Sequence, residues 1–123
     1  MTKEEARKIM INAENEYKNN SDKLEQYKQY IEKLRNFNSS ILELSTHLNQ
    51  TTKSFLDGGY NDGGQPFDRG ILKSSSSSLC DISNKLNDII SLTSVRINEL
   101  EIEKKQKYNL WQNAIYQYNL IQE

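Results

Sequence analysis

From Met10 onward the apolar residues of this chain step alternately by three and by four. One line runs Met10, Tyr17, Leu24, Ile31, Asn38, Ser45, and its companion runs Ala13, Asn20, Tyr27, Leu34, Ile41, Leu48, Phe55. These are the a and d positions of a heptad, sustained long enough to predict a coiled-coil-like helix. Thr2 and Glu5 have the spacing of a capping box, in which each side chain bonds the other residue's backbone N–H. Phe37 and Leu44 lie beside the stripe and widen it midway, which predicts more than one neighbour there. Asn20 and Asn38 interrupt the seam. A buried Asn fixes register in two-stranded coils, and the same residues also suit a seam half open to water; both readings stand.

A second stripe runs Leu72, Leu79, Ile82, Leu86, Ile90, Thr93, Ile97, Leu100, then Tyr108, Trp111, Ile115 and Tyr118. Between Leu100 and Tyr108 the apolar line takes two steps of four across Lys104. That spacing reads as a stutter, which rotates the apolar face of a helix. The serine run 74–78 sits between Leu72 and Leu79 at heptad spacing, so it is expected to be helical, with small side chains that let a neighbouring helix approach closely.

The two stripes are separated by a break that holds all five glycines and the single proline: Gly58, Gly59, Gly63, Gly64, Pro66 and Gly70. Each interior glycine costs a helix about 1 kcal/mol and a proline about 3 kcal/mol, so no helix crosses this stretch. The pattern predicts an all-α fold, a single domain over 1–123. Helix 1 is expected at about 3–56, the turn at 57–70, and helix 2 at about 70–122, with Asp68 able to cap its first turn. Arms of nearly equal length predict an antiparallel hairpin with its termini together. Such a hairpin buries one stripe per helix and leaves Phe37, Leu42, Leu44, Ile89, Leu92 and Ile102 outside it. Helices draw most of their stability from packing. The surplus therefore predicts assembly, as in a four-helix bundle, with a second copy or another helical protein.

Charge is balanced, 16 basic against 17 acidic residues, with both signs interspersed. A nucleic-acid-binding arm needs a basic face, and none appears. No apolar run reaches the roughly 18 residues of a membrane span, and no apolar signal core follows the charged start, Met1 to Lys8. The expectation is a cytoplasmic protein, or one that leaves the cell without a cleaved signal. Cys80 is the single cysteine, so no intrachain disulfide forms.

Candidate chemistry is sparse. His47 falls at heptad position c, where a solvated side chain is expected. Asp57-Gly-Gly-Tyr-Asn-Asp fails as a calcium loop, with Gly59 third, Asp62 sixth and Asp68 twelfth. Asp57 and Asp62 read instead as turn residues. No catalytic, metal or cofactor residues are expected, and the chain is not read as an enzyme. The aromatic group Tyr108, Trp111, Tyr116 and Tyr118 has two readings. It packs as core against Met10 and Tyr17, or it anchors a partner helix, since Trp and Tyr dominate binding hot spots. The apparent stutter, and the small or flexible Ala6, Ile9, Met10 and Ala13 opposite, point to Trp111 and Tyr118 as that anchor, with Tyr108 and Ile115 beside them and Phe37 and Leu44 as a second contact region.

Phe55-Leu-Asp-Gly58 through Pro66-Phe67, then Leu72-Lys-Ser-Ser-Ser-Ser-Ser-Leu79, Ile82, Leu86-Asn-Asp-Ile-Ile90 and Ile97-Asn-Glu-Leu100-Glu together resemble the WXG-type proteins of type VII secretion. Within them the chain is most similar to the YwqH-like and LXG-associated small helical proteins of Gram-positive bacteria. The likeness spans nearly the whole chain and is one of architecture and rhythm. Leu56-Asp-Gly58 stands where the family has Trp-x-Gly, and the lone tryptophan is Trp111. The family's Tyr-x-x-x-Asp/Glu export signal has Gln122 in place of the acid after Tyr118. What the resemblance implies is a non-enzymatic helical partner of the N-terminal helical domain of an LXG-type toxin, which assists export and relies on that partner's signal. A structural coiled-coil protein unrelated to secretion would use the same stripes.

Overall fold

The capping box forms as its spacing predicts. The Thr2 backbone N–H donates to Glu5 Oε2 at 3.1 Å, and the Glu5 N–H donates to Thr2 Oγ1 at 3.2 Å. From this start α1 runs over Lys3–Asp57, and α2 follows over Arg69–Leu120. The computed structural model describes residues 1–57 and 69–122, with side chains described for all but 52, 54–57 and 69–72. Gly58, Gly59, Gly63, Gly64 and Pro66, and the proposed cap Asp68, lie outside the described residues. Gly70 belongs to the first turn of α2 rather than to the break.

The fold is all-α, two helices packed as an antiparallel hairpin. Lys3 Nζ donates to the Ile121 carbonyl at 3.0 Å, which ties the two termini together. The expected single domain divides by internal contacts into two units, each built from a piece of both helices. The terminal unit comprises Met1–Ile31 and Leu92–Glu123, the central unit Glu32–Ser91.

Contacts across the seam run in the antiparallel sense within each unit. In the terminal unit Lys3 faces Tyr118 and Tyr17 faces Lys104. In the central unit Asn38 faces Ser83 and Ser45 faces Ser76. In each of these four pairs the residue numbers add to 121. Every predicted a and d position of α1 from Met10 to Leu48 is buried or half-buried.

On α2 the inward line differs from the expectation at two places. Ser83, 3% exposed, takes the seam position, while Ile82 is 42% exposed. With Leu86 and Ile90 both facing in, heptad spacing brings Ser83 to the seam, and Asn38 waits there to bond it. The expected stutter is also absent. Lys104 and Lys107 occupy the seam positions between Leu100 and Trp111, and both are half-buried. From Ser76 to Tyr118 the inward residues step by three and four without a fault: 76, 79, 83, 86, 90, 93, 97, 100, 104, 107, 111, 114 and 118. A lysine can hold such a place because its methylene stem packs while its ammonium reaches outward.

Candidate interaction surfaces

In the terminal unit the seam is apolar and aromatic. Ala6, Leu24, Ile31, Leu100 and Ala114 are buried, Leu100 completely. Trp111 stacks on Tyr17 with ring centroids 5.5 Å apart and planes at 27°. Tyr108 meets Trp111 edge-on at 6.2 Å and leans on Tyr17 at 5.6 Å. Lys3 Nζ stands 4.6 Å over the Tyr118 ring and Lys104 Nζ stands 6.0 Å from that of Tyr17, placing a cation against the negative face of each ring.

This arrangement corrects the expected rotation of the aromatic face. Trp111 and Tyr118 are half-buried in the seam, and Tyr17 supplies the cover that Ala6, Ile9, Met10 and Ala13 alone would not. Ile115 is half-buried beside them, and Tyr108 keeps part of its ring exposed. Among the expected anchor residues only Tyr108 therefore presents a large surface to solvent.

Around this seam runs a set of charges. Lys107 Nζ reaches Glu16 Oε2 at 3.1 Å, and Asn20 Nδ2 donates to Glu103 Oε2 at 3.1 Å. Arg96 bonds Glu99 at 3.0 Å and Glu103 at 3.4 Å. The hydrogen bond to Glu99, helped by the charge of Glu103, raises the Arg96 pKa further above its ordinary value. On the opposite flank Lys28 pairs with Glu101 at 3.3 Å. Asn20 is half-buried at its seam position, and its Oδ1 is a buried oxygen with no partner among the described groups.

The central unit is built the other way. Among the described residues its buried side chains are Leu86 and four polar ones, Asn38, Ser45, Ser76 and Ser83. Burying such groups is tolerable only when they bond, and they do. Ser83 Oγ donates to Asn38 Oδ1 at 2.7 Å, and Asn38 Nδ2 donates to Asn87 Oδ1 at 2.9 Å. Ser76 Oγ donates to Asn49 Oδ1 at 2.7 Å and lies 3.5 Å from Ser45 Oγ, which is 3.8 Å from Cys80 Sγ. Asn38 is thus buried and bonded at its seam position rather than half open to water. Of the serine run only Ser76 is buried, its small side chain letting the helices close in.

Apolar residues sit instead on one flank of this unit. Phe37, Leu44, Ile82 and Ile89 each immediately precede a seam residue, namely Asn38, Ser45, Ser83 and Ile90. All four are exposed, Phe37 and Leu44 each at 54%. Asn49 and Asn87, which follow seam residues, bond across the other flank. In an antiparallel pair the positions preceding the seam on both helices share a side, so the four form one patch. Sequence reasoning named Phe37 and Leu44 for this role. It missed Ile82, which its stripe had placed inside.

His47 is exposed. Among the described residues no three His, Cys, Asp or Glu side chains gather in a way that could hold a metal ion. No helix there is long and apolar enough to cross a membrane. Comparison with known proteins found no matching family model, no matching curated protein and no matching solved structure.

Proposed function

We propose that this chain is a non-enzymatic helical partner protein of type VII secretion, which binds the N-terminal helical domain of an LXG-type toxin and assists its export. The observation that carries the reading is the flank Phe37, Leu44, Ile82 and Ile89, exposed beside a seam of Asn and Ser. Apolar residues at a and d alone make a two-stranded seam. The same positions plus g on both helices make the wider face of a helix in a bundle. That face is complete only when further helices cover it. The resemblance in architecture and rhythm to LXG-associated proteins names the kind of helix that would do so. Gln122 in place of the family's acid after Tyr118 fits a chain that travels with, or readies, a partner bearing the signal.

The test is co-purification of the full chain with the helical domain of an LXG-type toxin encoded beside it. Phe37→Ser combined with Leu44→Ser removes apolar area from residues that are already half in water, so the hairpin should stay helical. Binding should weaken by about a hundredfold, as for two lost contacts of roughly 1.4 kcal/mol each. Retention of full binding by the double variant, or no complex with the wild-type chain, would overturn the reading.

A further inference from the structure

The apolar flank of the central unit has a border, and the charge on that border is of one sign. Phe37 and Leu44 on α1 and Ile82 and Ile89 on α2 hold heptad position g. Around a helix, the neighbour of g on the side away from the seam is c, reached by steps of three and four residues. Among the described residues of this unit, c holds Lys33, Ser40 and His47 on α1 and Ser78 and Lys85 on α2, all exposed. Lys33 lies four residues before Phe37, and Lys85 lies three after Ile82 and four before Ile89. No acid is among them. The acids of the unit with described side chains, Glu32, Glu43, Asp81 and Asp88, stand at b and f, further round the helices. Asp81 and Asp88 lie within one turn of Lys85, on its outer side. Even so, neither Lys85 nor Lys33 makes an ion pair among the described residues.

We infer that the helix this flank receives is acidic along its edges. Its apolar stripe covers Phe37, Leu44, Ile82 and Ile89, and Asp or Glu residues beside the stripe reach Lys33 on one side and Lys85 on the other. The inference rests on the reading of this flank as the docking face for a partner helix. A helix laid there sits between two rows of g residues, so its stripe meets those rows and its bordering positions meet c. Charges beside an apolar seam set partner choice and orientation in coiled coils, and these lysines are placed to do the same.

Both lysines are exposed, so each pair adds little affinity; what it supplies is faster encounter and rejection of wrong partners. The same border argues against a second copy of this chain as the occupant. A two-fold pair sets one patch against the identical patch of its partner. A border of Lys, Ser and His would then meet another of the same kind, with no acid to answer either lysine, and like charges brought together across an interface are unfavourable.

The experiment measures association and dissociation rates of the full chain with the helical domain of the LXG-type toxin encoded beside it. Wild-type association should slow as salt is raised. Lys33→Glu combined with Lys85→Glu should slow association by about tenfold or more, remove that salt dependence and leave dissociation nearly unchanged. Lys85→Glu also adds a third acid beside Asp81 and Asp88, so circular dichroism checks that the helices persist. The neutral pair Lys33→Gln with Lys85→Gln is measured as well, and should lose the salt dependence with a smaller fall in rate. A complex that is lost with Phe37→Ser and Leu44→Ser, yet ignores salt and both lysine pairs, would overturn the inference and leave the docking face standing. No complex with the wild-type chain would overturn both. A wild type that self-associates, and is made monomeric by Phe37→Ser with Leu44→Ser, would give the flank to a second copy and overturn the inference too.

Discussion

Among the described residues, the five buried side chains of the terminal unit are all apolar, while in the central unit four of five are Asn or Ser. Each unit is built from a piece of both helices, so the difference lies in where apolar area was placed. The terminal unit puts Leu24, Ile31 and Leu100 inside and arranges Glu16, Lys23, Arg96 and Glu103 on its flank. The central unit puts Asn38, Ser45, Ser76 and Ser83 inside and leaves Phe37, Leu44, Ile82 and Ile89 on a flank of its own. Hydrogen bonds in the central seam fix alignment but add little net stability, about 1 kcal/mol each, since water offers the same bonds to the unfolded chain. Apolar burial is the larger driving force. The terminal unit therefore draws more of its stability from apolar burial than the central unit does.

The largest expected effect tests that division directly. Leu100→Ala empties a fully buried site and should cost about 3 kcal/mol, within the usual range for such truncations, read from urea unfolding of the whole chain. Trp111→Ala removes the stack on Tyr17 from a half-buried site and should cost about 2 kcal/mol. If Trp111→Ala left stability unchanged while abolishing partner binding, the tryptophan would be an anchor after all and the aromatic end would not be core. Asn38→Ala should cost about 1–2 kcal/mol, because Ser83 and Asn87 are left facing a methyl group. Asn38→Leu together with Ser83→Ala removes both members of that pair and should be close to neutral in stability. The double variant should instead loosen register, seen as broadened amide resonances in 32–91.

Hydrogen exchange sharpens the comparison without any substitution. Amides of residues 32–50 and 76–91 should be protected less than those of 10–31 and 92–115, by about tenfold or more, since sparse apolar contact lowers the cost of local opening. Equal protection would mean that the polar seam is as stable as the aromatic one. The smallest effect belongs to the exposed pair Lys28–Glu101, where Lys28→Ala should change stability by about 0.5 kcal/mol or less.

What the sequence determined by itself was the fold and the inward face of α1. Six helix breakers confined to one stretch leave two helices no alternative to folding back. Along α1 nearly every seam position is apolar or a recognisable Asn or Ser at heptad spacing, so periodicity alone located it. The inward face of α2 was legible only where its residues are apolar. Ser83, Lys104 and Lys107 look like surface residues in a sequence, so the stripe was drawn through Ile82 and broken after Leu100.

Tertiary structure decided those positions, because what brings a serine or a lysine into a seam is the group waiting on the other helix. Asn38 offers Ser83 a hydrogen bond; the Tyr17 ring and Glu16 receive the ammonium groups of Lys104 and Lys107. The pairings of Tyr17 with Trp111, of Glu16 with Lys107 and of Asn20 with Glu103 likewise depend on the register between helices. That register follows from the energy of all facing pairs together, and periodicity along one helix carries no information about which residue of the other helix it will meet.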